Sequence, residues 1–444
     1  MRRTVQSASV MAIVLAASPA RGGGMTLPFR GARTLERAGA YVAGAEDADA
    51  LWQDPAGLAR RAGDGRRSLL FDAAFVYQTV DYTPVGDATV SNQQPGQPIP
   101  TLAGALGVGD QLVIAGGIAA PYSGSERYPA DGAQRYASLG MTGATYVIVT
   151  VGVGYRVNDQ LRVGATLQDQ FTKLTLATVT SGCPGAMTCA PDDRSFDMLV
   201  TVDQTDAIAP SGSVGVQYDA TPAVTLGAMA QAPTRVSGDA TITLGLPSST
   251  VFDNAMVTGD RGALAFTLPP IVRAGVEVRP VPELRVEAAL GAELWAVHDE
   301  IAIVPDAIVV HAGGSDFPLA RMTIARDYKT SLSPAVGVEW HGPKLQLGAG
   351  YAYETAAAPP GTVSVLTVDS AKHVLGVGGG YEDAGWQIGA AAGIALLADV
   401  DVAAADAKVD QLQPLAATPQ QVPVNAGHYA SRYLIAGLRF ARSW

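Results

Sequence analysis

The residues best placed to do chemistry are two arginines set among acids. Arg273 and Glu277 fall in one segment, and Arg285, Glu287 and Glu293 in the next. In an extended chain, residues i and i+2 share a face, so each group projects to one side. Two uses follow. A guanidinium fork in an apolar setting can anchor the carboxylate of a ligand, or the same charges can form an ion-pair network that braces the interior. Cys183 and Cys189 are the only thiols, six positions apart in a segment rich in Pro, Gly and Asp. In an exported chain they are expected to close a small loop disulfide; free thiols or a metal are the alternatives, and a lone pair is a poor zinc site. The remaining candidates argue against catalysis. His298, His311, His341, His373 and His428 are scattered without metal-ligand spacing, and Gly-x-Ser-x-Gly does not occur. The glycine run Gly376 to Gly380 lies in a strand-like segment with no helix after it, so it cradles no phosphate. No enzyme, cofactor or metal is expected.

What must position these residues is legible in the chain's composition and periodicity. Met1-Arg2-Arg3, the apolar stretch Val10 to Ala17 and Ser18-Pro19-Ala20 have the layout of a secretory signal peptide over 1–20. Its removal takes two arginines and no acid, so the net charge of −11 becomes −13. That acidity argues against nucleic acid as a partner. Beyond the leader there is no run of 18 apolar residues, although 48% of the chain is hydrophobic, so a helical membrane protein is excluded. A secreted β-protein and an outer-membrane β-barrel both remain.

From Ser68 onward, fourteen segments alternate with period 2, at about 68–82, 100–109, 111–121, 143–157, 160–180, 196–219, 222–245, 262–280, 282–304, 327–340, 344–356, 371–382, 385–401 and 427–441. Their connections alternate between short, such as Gly109-Asp110, Asn158-Asp159 and Glu382-Asp383-Ala384, and long, such as 122–142, 305–326 and 402–426. An even strand number with sorted loops is the pattern of a transmembrane barrel whose termini share the short-turn, periplasmic side. The faces agree. Leu345, Leu347, Ala349, Tyr351 and Tyr353 oppose Gln346, Gly348, Gly350, Ala352 and Glu354, and Val147, Val149, Val151, Val153 and Tyr155 oppose Tyr146, Thr150, Gly152 and Gly154. One face suits lipid and the other a polar or small-residue lumen. Tyr155, Tyr351, Tyr353, Tyr381 and Phe440 near strand ends are candidates for interfacial girdles. The fold expected for 67–444 is therefore an all-β, 14-stranded antiparallel transmembrane β-barrel.

The preceding segment, 21–66, is Ala-rich and short-helical, with few large apolar side chains. It is too small to fold alone, and the barrel lumen is the surface available to it. Gly31 to Ala40 followed by Asp54-Pro55-Ala56, then Leu112 to Pro121 with Tyr122, Leu226-Gly227 through Gly238-Asp239-Ala240, Thr267-Leu268-Pro269 with Gly275-Val276, and Leu347 to Tyr353 together resemble the FadL/TodX family of long-chain fatty-acid and hydrocarbon channels. The similarity spans nearly the whole mature chain. It departs from the family at Asp54, where an Asn is usual, and past Phe440, where the chain continues to Trp444.

The resemblance implies a passive outer-membrane transporter of hydrophobic small molecules, with 21–66 as a hatch and Asp54, Pro55 and Ala56 as its signature. It implies capture of ligand by the long outer loops and sideways exit at the third strand, where Gly116, Gly117 and Pro121 could break the ladder; a glycine packing site under the hatch is the competing reading. Candidate ligand contacts are Met25, Leu27, Pro28, Phe29, Leu246, Val251, Phe252, Ile303 and Phe317, with Arg273 or Arg285 for a carboxylate. Lipopolysaccharide phosphates near Arg432, and the barrel-assembly machinery at the aromatic C-terminus, are the other expected partners of a monomer. A general diffusion porin or a structural, adhesion barrel is the alternative function.

Overall fold

The computed structural model describes residues 31–120 and 126–444; the leader, Met25, Leu27, Pro28, Phe29, Pro121 and Tyr122 lie outside the described residues. Fourteen antiparallel strands close into a barrel. In chain order they are β1 (Arg67–Pro84), β2 (Gly96–Val108), β3 (Leu112–Ala119, resuming at Glu126–Arg127), β4 (Gly140–Arg156) and β5 (Leu161–Ser181). Five strands in two pieces follow: β6 (Asp197–Asp206 and Pro210–Thr221), β7 (Val224–Gln231 and Thr234–Gly245), β8 (Arg261–Leu268 and Ile271–Val281), β9 (Leu284–Glu293 and Glu300–Asp306) and β10 (Met322–Ala325 and Ser331–His341). The last four are β11 (Leu345–Glu354), β12 (Lys372–Asp383), β13 (Trp386–Leu397) and β14 (Gly427–Ser443). The circle is closed by β14 on β1, in unbroken register from Ser68↔Ser443 to Pro84↔Gly427. Closure pairs every strand on both sides, which hydrocarbon requires of a spanning sheet.

Two features depart from the alternation-based expectation. The segments 196–219, 222–245, 262–280 and 282–304 are each interrupted. Pro233 and the pair Pro269-Pro270 sit at two of the breaks, where proline cannot donate to the ladder. The long loops 246–261 and 305–326 also contain order that no periodicity announced: Met256–Thr258, Val309–Ala312 and Ser315–Pro318 form a separate three-stranded sheet.

The face assignment is as expected. Val149, Val151, Val153, Leu345, Leu347 and Leu438 are exposed on the outside. Tyr155, Tyr218, Trp340, Tyr381, Trp386 and Phe440 are exposed near the short-turn ends of their strands, a ring of the kind that marks a membrane interface. No helix among the described residues is long and apolar enough to cross a membrane.

Inside the barrel lies the segment 31–62, almost wholly buried. Its helices are α1 (Ala32–Glu36) and α2 (Ala50–Gln53), with a 3₁₀ turn at Pro55–Arg61. At five and four residues the α-helices are far below the length at which helices persist alone, so the enclosing wall supplies their stability. After α1 the chain reverses through Ala38 and Gly39, both at positive φ, and the Gly39 N–H returns to the Thr34 carbonyl at 3.0 Å, a helix-ending bond that satisfies a carbonyl left over by the short helix.

Candidate functional site

The lumen divides into two chemically distinct halves. The half nearer the short turns holds the inner segment in a set of buried ion pairs. From α1, Arg33 meets Glu339 at 2.7 Å, and Arg37, just past the helix, meets Glu339 at 3.0 Å, Glu287 at 2.8 Å and Glu277 at 3.4 Å. Glu287 also accepts the backbone N–H groups of Val42, Ala43 and Gly44 at 2.7, 2.9 and 2.9 Å. The strand period explains the arrangement. Residues 277, 287 and 339 are the inward, odd-numbered members of β8, β9 and β10, whose even neighbours Val276, Val278, Val336, Val338 and Trp340 face out. On the opposite wall, Arg439 of β14 meets Asp49 at 2.9 Å and Asp72 at 3.1 Å. Buried charges carry a large desolvation cost unless each finds partners, and here the partners come from both the segment and the wall.

The arginines singled out from the sequence belong to this half. Arg285 meets Glu46 of the segment at 3.1 Å, and Arg273 donates to the Gln53 side chain at 3.3 Å. Asp54 caps the 3₁₀ turn, accepting the Ala56 N–H at 3.0 Å, with Pro55 in the turn's first position. Burial pushes the Asp54 carboxyl well above the usual carboxylate range, against the lowering effect of the Ala56 N–H. A neutral carboxylic acid carries both a donor and an acceptor, so Asp54 in that form reproduces the hydrogen-bonding capacity of an Asn. Wall glycines admit this element: a Cβ at Gly164 would collide with the Pro55 carbonyl, and one at Gly376 with the Leu35 carbonyl.

The half nearer the long loops is mainly apolar, although it also buries the Lys372–Glu354 ion pair at 2.8 Å and the side chains of Glu126 and Arg326. Met198, Val200 and Val202 from β6, Ile242 from β7, Phe266 from β8 and Ile303 from β9 are buried in one continuous cluster, closed over by loop residues such as Val363, Leu366 and Leu415. Phe252 and Ile303 belong to it, and Leu246, Val251 and Phe317 pack on it half-buried. Trp295 and Tyr328 stand edge to face at 5.7 Å between centroids, each also touching His298. Beside them lies Arg326, 1% exposed, its guanidinium carbon 5.8 Å from the Tyr328 ring and its Nε and Nη2 without a hydrogen-bond acceptor among the described residues. Parity reasoning could not reach Arg326, because it sits in the break before the second piece of β10.

At the third strand the two glycines face opposite ways. Gly117 points inward, where an added Cβ would meet Trp52 of α2 at 2.8 Å, whereas Gly116 faces out, with only the Thr150 carbonyl at 3.6 Å. Trp52 is further held by its indole N–H on Thr150 at 3.0 Å. Among the described residues the β3–β4 ladder runs from Leu112↔Tyr155 to Ala119↔Ile148 and resumes at Glu126↔Met141. Cys183 and Cys189 form a disulfide in the loop after β5, and Arg432 is exposed on β14 beside Leu434.

The geometry agrees with known proteins. A family described as "Outer membrane protein transport protein (OMPP1/FadL/TodX)" matches residues 13–435. Among solved structures, a Pseudomonas aeruginosa FadL homologue is 15% identical, with a TM-score of 0.74 over 94% of this chain and 99% of its own. The Ralstonia pickettii toluene transporter TbuX is 17% identical (TM-score 0.59; 92% and 98% covered), and the P. putida toluene transporter TodX 15% (0.64; 92% and 98%). No curated protein sequence matches. The similarity to the solved structures is one of fold, and the family match carries the assignment: the chain belongs to the OMPP1/FadL/TodX family, outer-membrane transport channels for hydrophobic compounds and not enzymes.

Proposed function

We propose that the chain takes a single hydrophobic molecule, a long-chain acid or a hydrocarbon, from the long-loop side into the apolar half of the lumen and releases it sideways into the membrane, with 21–66 acting as the hatch and the short turns and both termini in the periplasm. The observation that carries this is the division of the lumen: a largely apolar cluster of side chains above and a floor of buried ion pairs below. Burial of apolar chain is worth about 0.8 kcal/mol per methylene, so insertion among these side chains draws ligand from water without an energy source. The charged floor offers that ligand no comparable environment. A lateral route at β3 and β4 avoids the floor. Arg326, buried beside Tyr328 and near the Glu126 carboxyl, with Nε and Nη2 lacking an acceptor among the described residues, receives the polar end of an acid.

The test is uptake into barrel-containing liposomes of a fluorescent long-chain acid and of toluene. The unmodified chain transports at least one, deletion of residues 25–60 abolishes uptake while the barrel still assembles, and Arg326→Met slows the acid selectively. A large steady aqueous current through single channels, or unchanged uptake after the deletion, overturns the reading in favour of a porin or a structural barrel.

A further inference from the structure

The outer wall at the start of the barrel is not uniformly covered. Strand register aligns Leu69, Gly104, Gly116 and Val151 in one row across β1 to β4, all facing lipid. The rows on either side pair Leu102 with Ile118 and Leu106 with Ile114. Two glycines directly opposite each other, framed by four branched side chains, leave a groove. It is empty of protein: a Cβ at Gly104 would have only the Ser68 carbonyl within reach, at 3.6 Å. At its short-turn end the same depression is bounded by Arg67 and Trp444. Arg442 lies beside it, opposite Leu69 on β14, its guanidinium carbon 4.0 Å from the Trp386 ring and 5.7 Å from that of Trp444. Arg66 and Arg67 are both exposed and make no ion pair among the described residues. Among nearby acids, Asp110 is exposed in the β2–β3 turn, Asp64, exposed just before β1, accepts the Gly109 N–H of that turn at 3.0 Å, and Asp47 lines an adjoining pocket with Arg66 and Arg67.

We propose that this groove is a binding site for one anionic phospholipid of the leaflet at the short-turn end, with an acyl chain lying over Gly104 and Gly116 and the phosphate between Arg67 and Arg442. The occupant follows from charge and shape. In a chain of net charge −11, a rim of guanidiniums and indoles at interface height selects an anion at the level of lipid headgroups. The glycine floor, framed above and below by Leu102, Ile118, Leu106 and Ile114, is a slot for a single hydrocarbon chain. A neutral or zwitterionic headgroup gains less, because its ammonium meets the same guanidiniums. The site lies outside the barrel and does not depend on the cargo, so its failure and that of the transport reading are separable.

The experiment is native mass spectrometry of the full chain after exposure to mixed micelles holding equal amounts of phosphatidylglycerol and phosphatidylcholine. One phosphatidylglycerol is retained per barrel in preference to phosphatidylcholine. Arg67→Gln and Arg442→Gln each lower that preference about fivefold, since a basic residue at a membrane surface is worth about 1 kcal/mol. Gly104→Leu fills the slot and reduces retention of both lipids, with heat-modifiable migration of the barrel confirming that each variant folds. Equal retention of the two lipids by the unmodified chain, an unchanged preference in the double arginine variant, or undiminished retention in Gly104→Leu overturns the site.

Discussion

The two halves of the lumen solve the problem of an enclosed interior in opposite ways. Near the short turns the wall presents Glu277, Glu287 and Glu339 and answers them with Arg33 and Arg37 of the inner segment. Near the long loops it presents Val200, Val202, Ile242 and Phe266, covered by the apolar loops themselves. The first half is specific: directed bonds fix one arrangement of the segment against the wall. The second is adaptable, because apolar burial is non-directional and roughly proportional to area. Movement therefore costs least among the apolar side chains near the long loops. On the proposed reading, ligand displaces loop side chains above more readily than it separates ion pairs below, which is the physical reason for placing it above the floor.

The largest effect is expected from uncoupling the floor. Glu339→Ala removes the carboxylate shared by Arg33 and Arg37, leaving both guanidiniums buried with fewer partners. Loss of one member of a buried pair costs about 3–5 kcal/mol. The segment is expected to become accessible to protease while the barrel's heat-modifiable migration persists; a segment as protected as before would show that the ion pairs do not hold it. A smaller effect is expected from Gly164→Val, where the new side chain meets the Pro55 carbonyl. Overpacking of this kind costs about 1–3 kcal/mol, read in the same assay as partial exposure of the segment. If Gly164→Val matches the parent, the close approach of wall and segment is not a constraint.

How much of this was legible in the sequence depends on the range of the interaction. The strands, their sorted loops and the inward sense of Arg285, Glu287 and Glu293 were readable because period-2 alternation is local. Glu339 was within reach of the same rule, since Val336, Val338 and Trp340 define the outer face around it. The breaks at Pro233 and Pro269-Pro270 were under-read, because alternation continues on both sides of each and only the lost donor marks the interruption. Pairing is another matter. That Arg285 meets Glu46, some 240 positions away, follows only from closing the barrel around the segment. Arg326 was invisible because it lies where the strand lapses and parity has no meaning.

The subtlest test concerns Asp54, the position in the inner segment where the family resemblance implies an Asn. Its folded carboxyl is held well above the ordinary Asp value, chiefly by burial, while in the unfolded chain it titrates near 3.9. The folded state therefore binds the proton more tightly. By linkage, stability declines as pH rises from the unfolded value towards the folded one, with the full contribution present only below that window. Asp54→Asn replaces the acid with a group of the same shape that never ionises. It is expected to keep the cap to the Ala56 N–H, flatten the pH dependence of segment protection and raise protection at neutral pH. Asp54→Ala loses the cap, at a cost of about 1 kcal/mol, and flattens the same profile without the gain. Protease protection followed from pH 4 to pH 8 separates the two variants. A parent profile that rises with pH would mean that Asp54 is ionised in the folded chain and that its partner is a cation, which would place the segment differently against the wall.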